Sequence, residues 1–247
     1  MAAETKTVII TGGTKGVGRA VAEHLAGLGY NLALSYSSDD AAAEATRAAI
    51  TGAGRECLIL KGDTRRRDSV EELFAATTQR FGAIYGVMAN AGVENVEAPF
   101  SEMTEDELHR VVDINFKGTF FTLQQAARTV IEGGRVIATA STIASYPPPG
   151  SGVYAATKAA VRLMVQVLSL ELGPRGITVN SLDPGAVEGA GIFTHMTEEL
   201  RQAFYKQSPM GKLPRPSDMA GAVAFLLSDG AAMVSGHNLA VTGGFRI

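Results

Sequence analysis

The sequence predicts an α/β fold, a single doubly wound domain over residues 1–247 in which helices flank a seven-stranded parallel sheet. Three observations predict this fold. Short β-branched runs alternate with stretches of helical periodicity along the whole chain. No linker or internal repeat interrupts that alternation. The glycines and polar residues that could bind a ligand or take part in a reaction follow the carboxyl ends of strands, where doubly wound sheets bind their ligands.

Composition excludes several classes of function. The 247 residues carry a net charge of −3, which predicts no surface for nucleic acid or anionic lipid. Cys57 is the one cysteine, so it is interpreted as a small buried hydrophobic side chain in a reducing cytoplasm. We expect neither a secretory signal nor a stretch long and apolar enough to span a bilayer. The histidines, which are too dispersed for a metal site, are His24, His109, His195 and His237.

The first strand and helix enclose a glycine-rich turn. A strand is predicted over residues 7–10, and the turn over residues 11–18 precedes a stretch of helical spacing. The pattern Gly-x-x-x-Gly-x-Gly allows a tight turn and brings backbone N–H groups to a pyrophosphate at a helix N-terminus. A plain βα turn is the alternative, but this context favours a nucleotide site.

The end of the second strand, predicted over residues 31–35, indicates which cofactor binds. An acidic residue there would bind the ribose 2′-hydroxyl of NAD. Strand alternation places that position at Tyr36 or Ser37, and neither is acidic. Asp39 and Asp40 are interpreted as the cap and first turn of a helix over residues 40–53. Since Lys15 is placed to meet a 2′-phosphate, NADP(H) is favoured over NAD(H), although a register shift bringing Asp39 to the ribose would reverse this choice.

Strands three and four are predicted over residues 56–61 and 84–89, with a helix over 69–81 between them. Asp63 and the amide of Thr64 follow strand three, where they can hold an adenine. The small-residue turn over residues 90–92 follows strand four. A cofactor ribose can lie on its backbone, although a simple turn is the alternative reading.

A capping box at Thr104 begins a long helix that carries Asn115 among apolar and small residues. This asparagine is either exposed or satisfied internally, or it marks a local kink where its side chain holds a water. A fifth strand over residues 133–140 then leads to Ser141.

Tyr154 and Lys158 lie one turn apart on one face of a helix that extends to about Gly173. The lysine charge is expected to lower the pKa of the tyrosine from about 10 toward neutrality. Such a phenol can give a proton to an alkoxide or take one from an alcohol. Ser141 is placed to hold a carbonyl oxygen in front of it. For the pair alone, a tyrosine packed beneath a solvated lysine is the alternative.

The last third of the chain provides cover for this site. The rigid loop over residues 145–151 must fold over it, and a sixth strand is predicted over 177–182. A weakly regular stretch over about 186–212 is interpreted as a lid or substrate loop. A final helix over 219–227 and a final strand over 238–241 complete the sheet. Because the Tyr154 helix is apolar over most of its length, we expect it to contribute to an oligomer interface as well as the core.

Together these motifs resemble the short-chain dehydrogenase/reductase family, whose members have a Rossmann-type fold. The resemblance covers essentially the whole chain, in the family's order and spacing. It rests on residues 11–18, Asn90-Ala91-Gly92, Asn115, Ser141, Tyr154-x-x-x-Lys158 and Pro184-Gly185.

The resemblance implies a role for each motif. Tyr154 is the general acid/base, Lys158 lowers its pKa and binds the nicotinamide ribose, and Ser141 polarises the substrate carbonyl. Asn115 holds a water that links Lys158 to solvent. The NADP(H) contacts expected from the resemblance and the strand ends are Gly12, Thr14, Lys15, Gly16, Val17, Gly18, Tyr36, Ser37, Ser38, Asp63, Thr64, Asn90, Ala91, Gly92, Tyr154, Lys158, Pro184, Gly185 and Val187.

Two residues depart from the family pattern. Gly189 stands where many members have threonine, so one hydroxyl contact to the cofactor is missing and the lid entry is expected to be more mobile. Asp183 stands where a small or apolar residue is usual. It either orients a substrate hydroxyl or serves as a structural partner.

The substrate is expected to be a free ketone. The chain most resembles β-ketoacyl-carrier-protein reductases, which dock an acidic carrier through basic residues, but Glu132 and Leu170 occupy those positions here. A polycyclic ketone of the aromatic polyketide type, as in antibiotic biosynthesis, fits an apolar lining; a steroid-like or small alicyclic ketone stays open. The expected substrate contacts are Val93, Glu94, Ser141, Ile143, Tyr146, Ile192, Phe193, Met196 and Phe204.

Two alternatives remain at the sequence level. One is a 3-oxoacyl-carrier-protein reductase of fatty acid synthesis, and the other is a nicotinamide-binding regulator or scaffold without catalysis. We expect a homo-oligomer, either a tetramer or a dimer formed through the long helices.

Overall fold

The computed structural model describes residues 5–94, 98–194 and 197–245. Its seven strands form one sheet in the order β3-β2-β1-β4-β5-β6-β7, and every neighbouring pair is parallel. The predicted fold class is therefore confirmed. The strands are β1 (Thr7–Ile10), β2 (Asn31–Tyr36), β3 (Cys57–Lys61), β4 (Ile84–Ala89), β5 (Val130–Thr139), β6 (Thr178–Pro184) and β7 (Asn238–Val241).

Helices cover both faces of the sheet. One apolar layer joins the sheet to α1, α2 and α8, and a second joins it to α3, α5 and α6. Successive strand residues alternate between the layers, so Leu32 and Leu34 pack on one side and Ala33 on the other. The helices are α1 (Gly16–Gly27), α2 (Asp40–Gly52), α3 (Arg67–Phe81), α4 (Glu105–Val112), α5 (Thr119–Thr129), α6 (Gly152–Leu172), α7 (Glu198–Gln207) and α8 (Pro216–Leu227).

The chain reverses its direction of winding between β1 and β4, which are neighbours in the sheet. Loops leaving two adjacent strands diverge at such a point, and a crevice opens between them. The turns after β1 and β4 therefore line the same opening.

Several predicted segments differ from the structure. The helix that begins after Thr104 is broken by a π-helical turn over Asp113–Gly118, which separates α4 from α5. The segment expected to be weakly regular contains a 3-10 turn over Gly191–Thr194 and the ten-residue helix α7. Thr197 caps α7 by accepting a hydrogen bond from Leu200 N at 3.4 Å, so this cover has regular structure of its own.

The expectation that no stretch is long and apolar enough to span a bilayer is wrong for α6. Gly152–Arg175 meets both criteria. One face of the helix packs in the core through Val161 and Val165, which are fully buried. Its apolar composition therefore serves packing against the sheet on that face. Cys57, expected to be buried, is half-buried, and desolvation raises the pKa of its thiol to about 11.

Candidate active site

A cleft of about 1280 Å³ opens along the edge of the sheet at which the strands end. It exceeds the roughly 300–1,000 Å³ of a typical small-molecule site, so it has room for a dinucleotide and a second ligand. Most residues selected from the sequence line it. These are Gly12, Thr14, Lys15, Gly16, Val17, Gly18, Tyr36, Ser37, Ser38, Asn90, Ala91, Gly92, Val93, Glu94, Ser141, Ile143, Tyr154, Lys158, Pro184, Gly185, Val187, Phe193 and Phe204.

The glycine turn has the tight geometry that its sequence predicts. Gly12 and Gly16 have positive φ values of 63° and 50°. A Cβ added to Gly18 would lie 2.2 Å from Gly12 O and 2.7 Å from Asn90 Nδ2, so no larger residue fits there. The first N–H groups of α1 have no acceptor within the helix and line the cleft, which makes this end of the helix suited to an anionic phosphate.

Asn90 ties the glycine turn to the turn after β4. Its Nδ2 donates to Thr11 O at 3.1 Å and Gly12 O at 3.2 Å, and its Oδ1 accepts from Thr139 Oγ1 at 3.2 Å. Its amide is thus occupied in bracing three strand ends. The sequence predicted only a ribose contact for Asn90, and the structure shows that Asn90 also holds the glycine turn in position.

The far end of the cleft, beyond the glycine turn, carries exposed charges. Lys15 Nζ lies 2.5 Å from Asp39 Oδ2, and their side chains are 63% and 37% exposed. Asp39 also caps α2 by accepting from Ala42 N at 2.9 Å, as the sequence predicts. Lys61 holds Asp40 at 3.0 Å. Lys15 therefore has a carboxylate partner that the sequence did not assign to it.

Asp63 and Thr64, expected at the adenine, do not line this cleft in the part of the chain that the structure describes. The Asp63 carboxylate accepts from Arg65 Nε at Oδ1, at 3.0 Å, and from Arg65 Nη2 at Oδ2, at 2.6 Å. That ion pair with Arg65 engages both carboxylate oxygens in the structure. An adenine contact from Asp63 stays a prediction.

Tyr154, Lys158 and Ser141 converge at the other end of the cleft. Lys158 Nζ lies 5.7 Å from the centroid of the Tyr154 ring and donates to Thr139 O at 2.8 Å. The Ser141 hydroxyl is close enough to the Tyr154 phenol to lower its pKa, and it also contacts Pro184 O at 3.3 Å. Tyr154 and Lys158 are only 8% and 4% exposed. The three side chains thus meet in a largely dry pocket beside the glycine turn.

The expectation that the pKa of Tyr154 is lowered toward neutrality is wrong in this structure. Burial raises its pKa above the usual value of about 10, and the Glu94 carboxylate raises it further. Burial lowers the pKa of Lys158 to about 8, against the opposing effects of Glu94 and Asp183. Near neutral pH, Tyr154 is therefore a protonated phenol beside a lysine that is still mostly cationic, an arrangement suited to proton donation.

Asn115 lies in the π-helical turn and is fully buried. Its Oδ1 accepts from Val93 N and its Nδ2 donates to Val93 O, both at 2.8 Å, and Nδ2 is 3.3 Å from Thr157 Oγ1. The kink is present, and protein groups bind both ends of the amide, so the side chain is satisfied internally; a water held beside it stays a prediction. A Cβ on Gly92 would lie 3.2 Å from Asn115 Oδ1 and 3.3 Å from Lys158 Nζ, so the two side chains flank this glycine.

The cover over the substrate end is aromatic. Phe193 and Phe204 meet edge to face with 4.9 Å between ring centroids, and Phe204 is 5.6 Å from Phe245. Tyr146 is 45% exposed and does not line the cleft in the part of the chain that the structure describes, so its contact with the substrate stays a prediction. Pro148 and Pro149 from the same loop line the cleft instead. Met196, His195 and the side chain of Ile192 lie outside the described residues.

Gly189, which replaces the family's usual threonine, has a positive φ of 72°. A β-branched residue is strained in that conformation, so the local backbone, and not only the missing hydroxyl, differs from the pattern expected. Asp183 is fully buried and paired with Arg162, whose Nε lies 2.5 Å from Asp183 Oδ2. It therefore acts as a structural partner and does not present a free carboxylate to the cleft.

Sequence reasoning missed Arg162. A signal was present, because Tyr154, Lys158 and Arg162 recur every four residues along α6 and so share one face. Thr139, whose carbonyl accepts from Lys158, was also missed, since a backbone acceptor leaves no mark on the sequence. Within the described ranges, no group of three or more His, Cys, Asp and Glu side chains could hold a metal ion.

Comparison with known proteins agrees with this geometry. The family model described as enoyl-(acyl carrier protein) reductase matches residues 12–246. The chain belongs to the short-chain dehydrogenase/reductase family. Members of this family are oxidoreductases that interconvert ketones and alcohols with NAD or NADP. The glycine turn and the buried site around Tyr154 fit such a cofactor.

Individual relatives cover nearly the whole chain. An uncharacterized oxidoreductase of Methylorubrum extorquens is 36% identical over 98% of this chain and 98% of that protein. A 3-oxoacyl-[acyl-carrier-protein] reductase of Staphylococcus aureus is 31% identical, with coverage of 97% and 98%. A crystal structure of a putative dehydrogenase from Burkholderia cenocepacia with bound NADP superposes with a TM-score of 0.92 at 27% identity, covering 98% of this chain and 94% of that one.

Proposed function

We propose that this enzyme reduces a ketone to a secondary alcohol with NADPH, with Tyr154 as the proton donor. The observation that carries the proposal is the meeting of a protonated phenol, a buried lysine and a serine hydroxyl beside the glycine turn. When bound, the reduced nicotinamide supplies a hydride to the carbonyl carbon.

The chain's own residues account for the rest of the reaction. The Ser141 hydroxyl turns from Pro184 O toward the substrate oxygen and polarises the carbonyl. Tyr154 gives its proton to that oxygen as negative charge develops on it. The Lys158 ammonium stabilises the phenolate that remains, and Thr139 O holds the ammonium in place at 2.8 Å. Asn115 braces Val93 at the wall of the same pocket, and a water relay from Lys158 past it to solvent stays a prediction.

NADPH is proposed over NADH because the strand-two end lacks an acidic residue at Tyr36 or Ser37 and because Lys15 stands at the glycine turn. Asp39 faces Lys15 in the structure, so a 2′-phosphate would compete with that carboxylate for the ammonium. The NADP-bound structure of the Burkholderia cenocepacia protein supports the same choice.

The substrate is proposed to be a free polycyclic ketone of the aromatic polyketide type, as used in antibiotic biosynthesis. Val93, Ile143 and the Phe193–Phe204 pair provide an apolar and aromatic lining. The two positions expected to dock an acidic carrier offer it no free cation, since Leu170 is apolar and 79% exposed and Glu132 is a carboxylate paired with Arg175, whose Nε lies 2.7 Å from Glu132 Oε1. The similarity to the Staphylococcus aureus reductase supports reduction of a carrier-bound thioester as the second candidate.

The deciding experiment compares turnover of a carrier-bound β-ketoacyl thioester with turnover of polycyclic ketones at equal NADPH. We expect faster turnover of the polycyclic ketones. Faster turnover of the thioester would refute the substrate proposal while leaving ketone reduction intact. Binding of NADPH with no turnover of any ketone or alcohol would instead favour a nicotinamide-binding regulator.

A homo-oligomer, a tetramer or a dimer built through the long helices, is proposed from an apolar stripe on α6. Leu163, Val167 and Leu170 recur at helical spacing and are 62%, 48% and 79% exposed. Such a stripe on a cytoplasmic enzyme is covered most simply by the same face of a second copy. Sedimentation of wild type against Leu170→Glu tests this, and an unchanged monomeric mass for both would contradict it.

A further inference from the structure

Arg162 links the elements that carry the catalytic groups. It projects from α6, two turns after Tyr154 and one turn after Lys158. Its Nη2 donates to Ser141 O at 2.9 Å, its Nη1 donates to Ser145 Oγ, and its Nε donates to Asp183 Oδ2 at 2.5 Å. One guanidinium thus joins the catalytic helix, the loop after β5 and the end of β6.

Asp183 completes this arrangement from the opposite side. Its carboxylate is fully buried, and its second oxygen accepts from Ser181 Oγ at 2.5 Å. The Arg162 side chain is 17% exposed and that of Asp183 is 1% exposed. A buried ion pair of this kind contributes little net stability compared with apolar packing, so its presence beside a reactive centre calls for another explanation.

We propose that Arg162 and Asp183 are a positioning pair for the reductase. Arg162 holds the backbone of Ser141 in place relative to Tyr154, and Asp183 holds the guanidinium. The balance of the two buried charges sets the electrostatic environment of Lys158. This inference rests on the proposed function, and it adds two residues that do not touch the reacting atoms.

The geometry explains the positioning part. Ser141 must present its hydroxyl to the substrate oxygen, and its own side-chain contacts are long, at 3.3 Å to Ile143 N and 3.3 Å to Pro184 O. The shorter contact from Arg162 to Ser141 O holds the peptide instead of the hydroxyl. The hydroxyl therefore stays able to rotate while its backbone is held, as an adaptable hydrogen-bond donor requires.

The charges explain the electrostatic part. The groups that act on Lys158 are Tyr154 from its own helix, Glu94 from the turn after β4, Asp183 from β6 and the Thr139 carbonyl from β5. Arg162 follows Lys158 by one helical turn and contacts Asp183. Asp183 and Glu94 raise the pKa of Lys158, and burial lowers it. Arg162 contacts Asp183 and opposes its charge, so loss of Arg162 strengthens the effect of the carboxylate on Lys158, whereas loss of Asp183 removes that effect and leaves the guanidinium.

This balance predicts pH shifts of opposite sign. Asp183→Asn leaves an unopposed cation and should lower the pKa of Lys158, so that its loss of activity on the alkaline side begins at lower pH than in wild type. Arg162→Gln leaves an unopposed carboxylate and should raise the pKa of Lys158, so that the loss of activity on the alkaline side begins at higher pH than in wild type. We expect shifts of about one pH unit each way, with Arg162→Gln/Asp183→Asn returning close to wild type.

Arg162→Lys separates positioning from charge. It keeps a cation near Asp183 but cannot donate to Ser141 O, Ser145 and Asp183 from one planar group. We therefore expect the alkaline loss of activity to begin at the same pH as in wild type, with kcat reduced about tenfold and KM for NADPH unchanged. Arg175→Gln is the matched control, because Arg175 likewise joins a carboxylate, Glu132, to backbone carbonyls, but away from the cleft. It should leave kcat and its pH profile unchanged.

The test combines pH profiles of kcat with NMR titration of the Lys158 Cε signal, which needs no substrate. The NMR titration decides the charge balance even if no ketone is turned over, so failure of the reductase proposal is distinguishable from failure of this one. Shifts of the same sign in both single variants, or no shift in either, would overturn the inference. If Asp183→Asn does not fold, Arg162→Gln and the double variant decide the sign, and an unchanged kcat in Arg162→Lys would overturn the positioning part.

Discussion

The two ends of the cleft are held together in different ways. At the catalytic end, Tyr154, Lys158 and Asp183 are 8%, 4% and 0% exposed, and backbone carbonyls or buried charges hold the cations. At the far end, the Lys15–Asp39 pair faces water. Buried groups keep one geometry because an unpaired charge there is costly, whereas an exposed pair exchanges partners readily. We therefore propose that the buried end carries out the reaction and that the exposed end selects the cofactor.

The largest expected effect is at the buried end. Tyr154→Phe keeps the ring and its packing but removes the proton donor. We expect ketone reduction with NADPH to fall at least about a hundredfold, the usual contribution of a general acid. NADPH binding, measured by fluorescence titration, should stay within about threefold of wild type. Equal reduction rates would remove Tyr154 from the mechanism.

Lys158→Met tests the cost of burying the catalytic cation. Reduction should fall tenfold or more, and in wild type it should decline above about pH 8 as Lys158 loses its proton. Because its folded pKa lies below the usual value of about 10.4, the unfolded chain binds more protons between these two pH values. Lys158 therefore makes the fold more stable as pH rises through that window.

The methionine variant should lose this pH dependence and melt a few degrees higher than wild type at pH 7, where the charged lysine is still buried. Thermal melts at pH 7, 8, 9 and 10 measure both effects. A variant that melts lower than wild type at every pH would show that the bond to Thr139 O outweighs desolvation of the ammonium.

Gly18→Ala tests the junction between the two ends. The added Cβ would lie 2.2 Å from Gly12 O, so the glycine turn must shift away from α1. We expect NADPH affinity to fall about tenfold or more, because the first-turn N–H groups lose their alignment on the phosphate. Gly27→Ala in the same helix meets no atom within 4 Å and is the control; its affinity should be unchanged. Equal affinities in both variants would contradict the steric account.

The smallest effects are expected at the exposed pair. Lys15→Ala should reduce the preference for NADPH over NADH, measured as the ratio of kcat/KM values, about tenfold by loss of a phosphate partner. Asp39→Asn keeps the cap of α2 but frees Lys15, and should raise that ratio two- to threefold. A fall in the ratio in Asp39→Asn would show that Asp39 does not compete with the phosphate.

Local patterns predicted most of the fold and the cofactor half of the site. The positions of Gly12, Gly16 and Gly18 follow from the turn they make, and strand periodicity located all seven strands within a few residues. Motif spacing brought Tyr154, Lys158 and Ser141 together correctly. These features depend on neighbours in sequence or on parallel strands ending at one edge, and both leave a regular trace in the chain.

The environment of individual side chains was predicted less well than the fold. The pKa of Tyr154 was expected to fall because of a nearby charge, but burial, which depends on the whole fold, raises it. The amide of Asn115 binds a backbone segment 22 residues earlier in the chain, and the sequence did not identify this partner. From the loop that carries Tyr146, the side chains that line the cleft are Pro148 and Pro149, which the sequence did not single out.

By itself the sequence determined the sheet, the glycine turn and which side chains converge at the candidate site, since each depends on local spacing or residue type. Only the tertiary structure decided what surrounds them: the carboxylate beside Lys15, the dryness around Tyr154 and the ion pair that joins Arg162 to Asp183 across 21 positions of the chain. The physical reason is that desolvation and charge pairing depend on which distant segments of the chain pack together, and no local sequence pattern indicates that packing.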